Sequence, residues 1–334
     1  MSSLKRNNVA IIADWDADGA VSAAVIVYSQ KYEGVYPVKK SLDIDLYPSE
    51  PYGAFKRLDT LYCYESLVFL DIPVIKISID QIVIYRDRCK DTKIIYIDHH
   101  LSTHRELDKL MKIVDEALVG YVPTSKIAYD RILMAGARTN QRLEKFVSTI
   151  YYMDQGLKVP EDLRRIMRLL ADVSKYMAYK KDEETWIKIV NWMAPRIVHS
   201  YLDHNVLTKI RGYVEKIDQE MKSFANEIAV SAQRIGVFRF IDARKKWRRK
   251  GASSLASVLY RIFRAPVAVI VSDPHEPDKA LLIIKYPGKA YKIARYIEER
   301  GLLISIGGHP SLAIIRFDLE KLGEIKDLLN KIRI

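Results

Sequence analysis

Residues 9–24 read VAIIADWDADGAVSAA, which joins an apolar run to three closely spaced aspartates and a helix-like segment. The run at 9–13 is continuously apolar, which is typical of a strand buried on both faces of a parallel sheet. Asp14, Asp16 and Asp18 follow at once, and residues 20–30 have the composition of a helix. The stretch therefore predicts a strand, an acidic turn and a helix, the first step of an α/β fold.

The same alternation continues along the chain. Short apolar runs at 67–70 and 94–97 predict two more strands of a doubly wound parallel sheet. Apolar residues three or four apart predict helices over 124–150 and 160–232. Strands at 267–271, 280–285, 302–306 and 312–317, with helices at 255–263 and 291–299, predict a smaller C-terminal α/β domain. We therefore predict three parts, 1–156, 157–235 (a helical linker) and 236–334, with a cleft between the two α/β domains.

Composition narrows the class of protein. The 334 residues include 54 Lys and Arg against 42 Asp and Glu, and this net charge of +12 favours a polyanionic partner such as nucleic acid, polyphosphate or anionic lipid. A hydrophobic share of 49% excludes wholesale disorder. The apolar runs are too short to span a membrane, and MSSLKRNNVA does not resemble a secretory signal. Cys63 and Cys89 predict neither a disulfide framework nor a zinc site, so we expect a cytoplasmic protein without membrane contact.

Acidic residues stand where the predicted strands end. These strand-end residues are Asp14, Asp16, Asp71, Asp98 and His99. The carboxyl ends of parallel strands share one edge, so we expect these side chains to converge there. Carboxylates and imidazole without thiolate suit Mg²⁺ or Mn²⁺, and two such ions bridged by a carboxylate are typical of attack on phosphorus. A calcium loop beginning at Asp14 would need glutamate where Val25 stands.

These motifs resemble a known family. IADWDADGAVSAA, VFLD and IIYIDHH are similar to the first three motifs of the DHH phosphoesterase superfamily, and YYMDQG (151–156) is similar to the fourth. SIGGHPSLAI (305–314) resembles the Gly-Gly-His motif of the DHH-associated C-terminal domain. The resemblance covers residues 9–156 and 251–316. It implies a catalytic domain at 1–156, a substrate-binding domain at 236–334, and a place near RecJ-like nucleases and nanoRNA phosphatases.

The resemblance also implies roles for individual residues. The implied metal ligands are Asp14, Asp16, Asp71, His99 and Asp154. Asp71 would bridge two ions, His100 would contact the scissile phosphate, and Asp98 would orient a histidine ring. In the C-terminal domain, the implied substrate-binding residues are Gly307, Gly308, His309 and Lys285, the last standing where many members have arginine. Asp18 would either support the ligands or hold the turn before Gly19.

One departure from the family pattern concerns the metal site. Some branches place a histidine ligand where this chain has Ala10. RecJ-like members share the Asp-rich DxDADG form, so the departure favours the nuclease branch. Whether both metal sites fill is left open at this point.

A basic segment lies near the start of the C-terminal domain. RKKWRRK (244–250) places six cations around one indole, a pattern that suits a phosphate backbone with one stacked base. The candidate residues are Arg244, Trp247, Arg248 and Arg249. The alternative interpretation is a solvated run of charge.

The sequence thus predicts an exonuclease-type phosphodiesterase that uses Mn²⁺ or Mg²⁺, with two ions in its site. It would hydrolyse single-stranded DNA or RNA, or short oligonucleotides, by metal-activated hydroxide. The alternatives are a cyclic-dinucleotide phosphodiesterase, an exopolyphosphatase, or a non-catalytic nucleic-acid-binding subunit of a replication assembly. The polarity of digestion and the choice of DNA or RNA stay open, as does assembly as a homodimer or within a replication or repair complex.

Overall fold

The computed structural model describes residues 5–197, 202–247, 251–273 and 276–332. The chain divides into two compact units, Met1–Gly212 and Tyr213–Ile334. The strands of the first unit are β1 (Lys5–Asp14), β2 (Ile44–Ser49), β3 (Cys63–Leu70), β4 (Lys93–Asp98) and β5 (Glu116–Val119). Its helices are α1 (Ala17–Val27), α2 (Pro51–Arg57), α3 (Ser78–Arg88), α4 (Leu101–Arg105), α5 (Leu107–Leu110), α6 (Thr124–Met134), α7 (Gln141–Asp154), α8 (Arg164–Lys180) and α9 (Glu183–Met193), followed by α10 (His204–Ala229), which runs into the second unit.

The five strands of the first unit form one parallel sheet in the order β2-β1-β3-β4-β5. Ala13 pairs with Leu70, and Leu70 pairs with Ile97. Asp14, Asp71 and Asp98 directly follow these three paired residues. The three aspartates therefore stand in one row at the carboxyl edge of the sheet. This register confirms the predicted parallel α/β fold and explains why acids far apart in the sequence meet.

Helices cover both faces of this sheet. On one face, the rings of Phe55, Phe69 and Tyr96 stack in series, with centroids 5.6 and 5.2 Å apart, in a core that also includes residues of α3. On the other face, every residue of α1 is buried. A helix that is apolar all round must be enclosed, and α6, α7 and α9 pack around α1. The acidic turn between β1 and α1 is therefore anchored at both ends, by a strand of the sheet and by an enclosed helix.

The helices beyond residue 156 belong in part to the first unit. The backbone N–H of Ala17 donates to the Ser174 hydroxyl of α8 over 2.8 Å, and α9 packs on α1. The division between the units falls inside α10. The boundaries predicted at 156 and 235 differ from this division, because the apolar stripes of α8 and α9 pack on the first unit.

The second unit contains a six-stranded mixed sheet in the order β10-β11-β9-β8-β7-β6. Its strands are β6 (Gln233–Ile235), β7 (Phe238–Asp242), β8 (Val267–Ser272), β9 (Lys279–Lys285), β10 (Ser305–His309) and β11 (Leu312–Asp318). Its further helices are α11 (Ala252–Phe263), α12 (Ala290–Glu298) and α13 (Leu322–Lys331). The described strand pairs are antiparallel except β7 with β8. The second α/β domain predicted from the sequence is thus present.

Cys63 and Cys89 form a disulfide, contrary to the expectation from the cysteine count. Their Cα atoms lie 5.2 Å apart although 26 positions separate them in the sequence. Cys63 begins β3, and α3 returns the chain to the same edge of the sheet before β4, so Cys89 comes back beside it. Because the two cysteines are paired, the number of cysteines no longer supports a reducing compartment. The cytoplasmic location stays a prediction. Among the described residues, no helix combines the length and apolar character needed to cross a membrane.

Candidate metal centre

The acidic and histidine side chains at the carboxyl edge form two overlapping groups. The ligand atoms of Asp14, Asp16 and Asp71 all lie within 4.8 Å of one another, and so do those of Asp71, His99 and His100. Asp71 belongs to both groups. Two cation positions that share one carboxylate are therefore geometrically available, which is the arrangement of two-metal phosphoesterase sites.

Asp71 is held in an unusual backbone conformation. Its φ of 59° is left-handed, a strained conformation for a residue with a side chain, although aspartate tolerates it better than most. The residue is 2% exposed, and its N–H donates to the Ile97 carbonyl over 3.1 Å. Its Oδ1 accepts the Thr124 hydroxyl at 2.9 Å and lies 3.3 Å from His99 Nε2. These contacts fix the carboxylate in the middle of the cluster.

Asp14 and Asp16 are positioned by the turn into α1. Asp16 caps the helix by accepting the Gly19 N–H at 3.0 Å. A Cβ atom on Gly19 would lie 2.3 Å from the Asp14 carbonyl oxygen, so the turn can close only on a glycine. The close approach of two backbone segments is the physical reason for a glycine at this position.

The electrostatics of these carboxylates favour a bound cation. Desolvation and then repulsion from Asp16 and Asp71 raise the pKa of Asp14 well above its usual value. Desolvation and then repulsion from Asp71 raise the pKa of Asp16 to about 7, although this residue keeps an exposed side. Burial opposes ionisation of Asp71 as well, but the His99 hydrogen bond and both histidine charges lower its pKa. Negative charge crowded in this way, with imidazole beside it, fits a divalent ion.

The two histidines have different supports. His100 Nδ1 lies 2.8 Å from Asp98 Oδ1, so its Nε2 is the ring nitrogen directed away from that carboxylate. Asp98 is fully buried and also accepts the Thr103 hydroxyl. Burial alone would lower both histidine pKa values, but Asp71 raises the pKa of His99 to about 10, and Asp98 raises that of His100 to about 9. Asp98 thus contacts the His100 ring, and its role in orienting that ring for catalysis stays a prediction.

Asp154 lies near the cluster without joining either group. It is the last residue of α7 and is exposed, and its charge contributes to the raised pKa of His99. Gln155 Nε2 donates to its Oδ2 over 3.0 Å. The charge of Asp154 therefore acts on His99, and the role of Asp154 as a ligand stays a prediction.

Asp18 contacts the start of α6, a long-range contact that local sequence reasoning missed. Asp18 is 8% exposed and accepts the backbone N–H groups of Thr124 and Ser125 at 2.8 and 2.9 Å. The Thr124 hydroxyl donates in turn to Asp71. Asp18 therefore holds the start of α6, which holds the shared carboxylate. The partners are 106 positions apart, and Thr124-Ser125 by themselves predicted no more than a helix start.

The Gly-Gly-His motif occupies a β-hairpin of the second unit. His309 pairs with Leu312, and Leu312 pairs with Lys285, so positions 309 and 285 stand in one row across the sheet. Gly308 has a φ of 115°, and a Cβ there would lie 2.2 Å from the Leu312 carbonyl oxygen. Gly307 and Gly308 are exposed, and burial lowers the pKa of Lys285. The His309 side chain lies outside the described residues.

The basic segment is described only in part. Arg248 and Arg249 lie outside the described residues. Arg244 pairs with Asp242 over 2.6 Å, so its charge is partly neutralised. Trp247 is 6% exposed, and its ring lies 5.2 Å from that of Phe224. The predicted stacking role of Trp247 is not supported, because a buried ring has no free face for a base.

Comparisons with known proteins show the fold. No family model matches the sequence, and no curated protein matches it. RecJ with Mn²⁺ from Thermus thermophilus gives a TM-score of 0.63 at 12% identity, over 97% of this chain and 51% of that one. A DHH domain from a member of a family of ribosomal proteins gives 0.61 at 14% identity, over 98% and 88%. The pGpG-specific phosphodiesterase PggH from Vibrio cholerae gives 0.54 at 9% identity, over 97% and 98%.

The chain therefore has the fold of these RecJ, DHH-domain and PggH proteins, which is the fold that its motifs indicated. Both parts of the two-domain architecture are present. The chain spans about half the length of the Thermus RecJ.

Proposed function

We propose that the chain is a phosphodiesterase that depends on Mn²⁺ or Mg²⁺ and hydrolyses single-stranded or short oligonucleotides. The observation that carries this proposal is the membership of Asp71 in both groups of ligand atoms. A carboxylate shared by two cations is the basis of two-metal phosphoryl chemistry. The RecJ of Thermus thermophilus, which has the same fold, is known in complex with Mn²⁺ and with Mg²⁺.

The residues of this chain divide the work of such a reaction. Asp14, Asp16 and His99 would hold the cations around the shared Asp71, and Asp154 would approach from α7. When bound, the divalent ions supply Lewis acidity to the phosphoryl oxygens and lower the pKa of water. His100 would donate from Nε2 to a phosphoryl oxygen, since Asp98 holds its Nδ1 and stabilises the protonated ring.

The choice of an oligonucleotide as substrate rests on charge and on the relatives. A net charge of +12 suits a polyanion with several phosphates. A RecJ exonuclease and a pGpG-specific phosphodiesterase share the fold, and both names refer to nucleic acid or a dinucleotide. A dinucleotide or cyclic-dinucleotide phosphodiesterase is the second candidate, because PggH matches this chain over 98% of its own length.

A substrate panel tests the proposed function. We expect the purified chain with Mn²⁺ to shorten 5′- and 3′-labelled oligonucleotides and to lose this activity in excess EDTA. Cyclic di-AMP, pGpG and polyphosphate are assayed in parallel under identical conditions. Turnover of the dinucleotides without any oligonucleotide cleavage would favour the second candidate. Oligonucleotide binding without hydrolysis of any substrate would favour the binding-subunit alternative.

A further inference from the structure

An exposed aromatic side chain stands at the carboxyl edge of the first sheet. Tyr121 follows β5 after one glycine and is 75% exposed. Gly120 places this segment next to the metal centre, because its N–H donates to the Asp98 carbonyl over 3.2 Å. Tyr121 is therefore an exposed aromatic residue close to the candidate metal centre.

One face of the Tyr121 ring is covered by a second ring. Tyr121 stacks face to face on His104, with centroids 4.3 Å apart and planes inclined by 10°. His104 Nε2 lies 2.9 Å from the Gly120 carbonyl oxygen. The backbone N–H of His104 donates to the His100 carbonyl over 3.2 Å, so α4 ties the stack to the motif that supplies the site histidines.

The segment of Tyr121 also contacts Gln155, the residue that follows α7. Gln155 Nε2 lies 3.0 Å from Asp154 Oδ2 and 3.4 Å from the Tyr121 carbonyl oxygen. The segment that carries the ring is therefore joined to Asp98, to α4 and to the residue after Asp154. One face of the ring is covered by His104, and the exposure of the residue leaves the other face to solvent.

Two other tyrosines, Tyr62 and Tyr64, lack this placement. Tyr62 directly precedes β3, at the opposite edge of the sheet from the metal centre, and the Arg6 guanidinium lies 4.2 Å from its ring centroid. Tyr64 is fully buried. The sequence offered no way to choose among the 21 tyrosines. The stacking on His104 and the hydrogen bond from Gly120 to Asp98 connect Tyr121 to the metal centre.

We propose that the open face of Tyr121, backed by His104, stacks the base of a nucleotide whose neighbouring phosphate lies at the metal centre. This inference rests on the proposed function and names its substrate class, a phosphodiester chain that carries bases. Stacking on a rigid aromatic ring is tolerant of base identity, because every base has a π face. The platform would orient the nucleotide next to the scissile bond, and polyphosphate would gain nothing from it.

Abasic substrates test the platform. The substrates are one oligonucleotide and a series in which a single abasic residue is moved along it, assayed with Mn²⁺. We expect removal of the base at one position to lower the wild-type kcat/KM by about 10- to 100-fold. Tyr121→Ala should lose a similar factor on the intact oligonucleotide and no longer distinguish the abasic residue at that position. Tyr121→Phe should keep the discrimination, and Tyr62→Ala is the matched control.

A binding measurement separates the two proposals. The probe is an oligonucleotide with 2-aminopurine at the sensitive position, whose fluorescence falls on stacking, and the Mn²⁺ affinity of each variant is measured beside it. We expect the quenching to be lost in Tyr121→Ala while Mn²⁺ affinity is retained. Cleavage by Tyr121→Ala with undiminished base discrimination would overturn the platform alone. Base-dependent quenching without any cleavage would overturn the proposed hydrolysis alone, and the absence of both would overturn both.

Discussion

Asp71→Asn is expected to lower phosphodiesterase activity by at least about 10³-fold while the protein stays folded. The amide keeps the size of the side chain and can still accept the Thr124 hydroxyl. Asparagine also tolerates the left-handed backbone that this position requires, whereas alanine would add strain. The loss would therefore report the removed charge between the two groups of ligand atoms. Initial rates on a labelled oligonucleotide with Mn²⁺ measure it.

A matched control keeps this result interpretable. Asp59→Asn changes an exposed aspartate that precedes β3 at the opposite edge of the sheet, so its rate should equal that of the wild type. Thermal unfolding of both variants checks that the fold is intact. Near-normal activity of Asp71→Asn would show that this carboxylate is not shared between two catalytic ions.

Gly19→Ala is expected to damage stability and activity together. The new methyl group would lie 2.3 Å from the Asp14 carbonyl oxygen, so the backbone between β1 and α1 has to move. Overpacking of this kind costs about 1–3 kcal/mol in the free energy of unfolding. Displacement of Asp14 and Asp16 by about 1 Å would cost on the order of 10²-fold in kcat/KM. Denaturant unfolding and steady-state kinetics measure the two effects.

Gly212→Ala is the control for this prediction. Gly212 lies inside α10, and a Cβ there meets nothing within 4 Å. Alanine favours the helix by about 0.5–1 kcal/mol over glycine, so this variant should be as stable as the wild type or slightly more stable. If Gly19→Ala behaved like Gly212→Ala, the close approach that we describe would not govern the turn.

The positions of the main site residues could be predicted because they depend on short-range pattern. In β1, β3 and β4 an apolar run is followed by an aspartate, and the pairing of Ala13 with Leu70 and of Leu70 with Ile97 places these aspartates in one row. The same reasoning predicted helices over 124–150 but not the break between them. Gly136, with a φ of 98°, ends the first helix, and Asn140 caps a second one by accepting the Leu143 N–H.

Contacts between distant segments could not be predicted from the sequence. The hold of Asp18 on the start of α6 depends on how helices pack around α1, and no local motif encodes it. Cys63 and Cys89 likewise meet only because α3 returns to the edge where β3 begins. Trp247 was expected to lie at a basic surface, but its ring is buried and packs against that of Phe224. Tyr121 is selected by its stacking and exposure, which the sequence does not show.

In the proposed site two divalent cations share Asp71, and a calorimetric titration with Mn²⁺ counts the ions that bind. This measurement also addresses the position where Ala10 replaces the histidine ligand of other branches. We predict that the wild-type chain binds two Mn²⁺ ions and that Asp71→Asn retains at most one. A single ion in the wild type, or two ions held equally well by Asp71→Asn, would contradict this account.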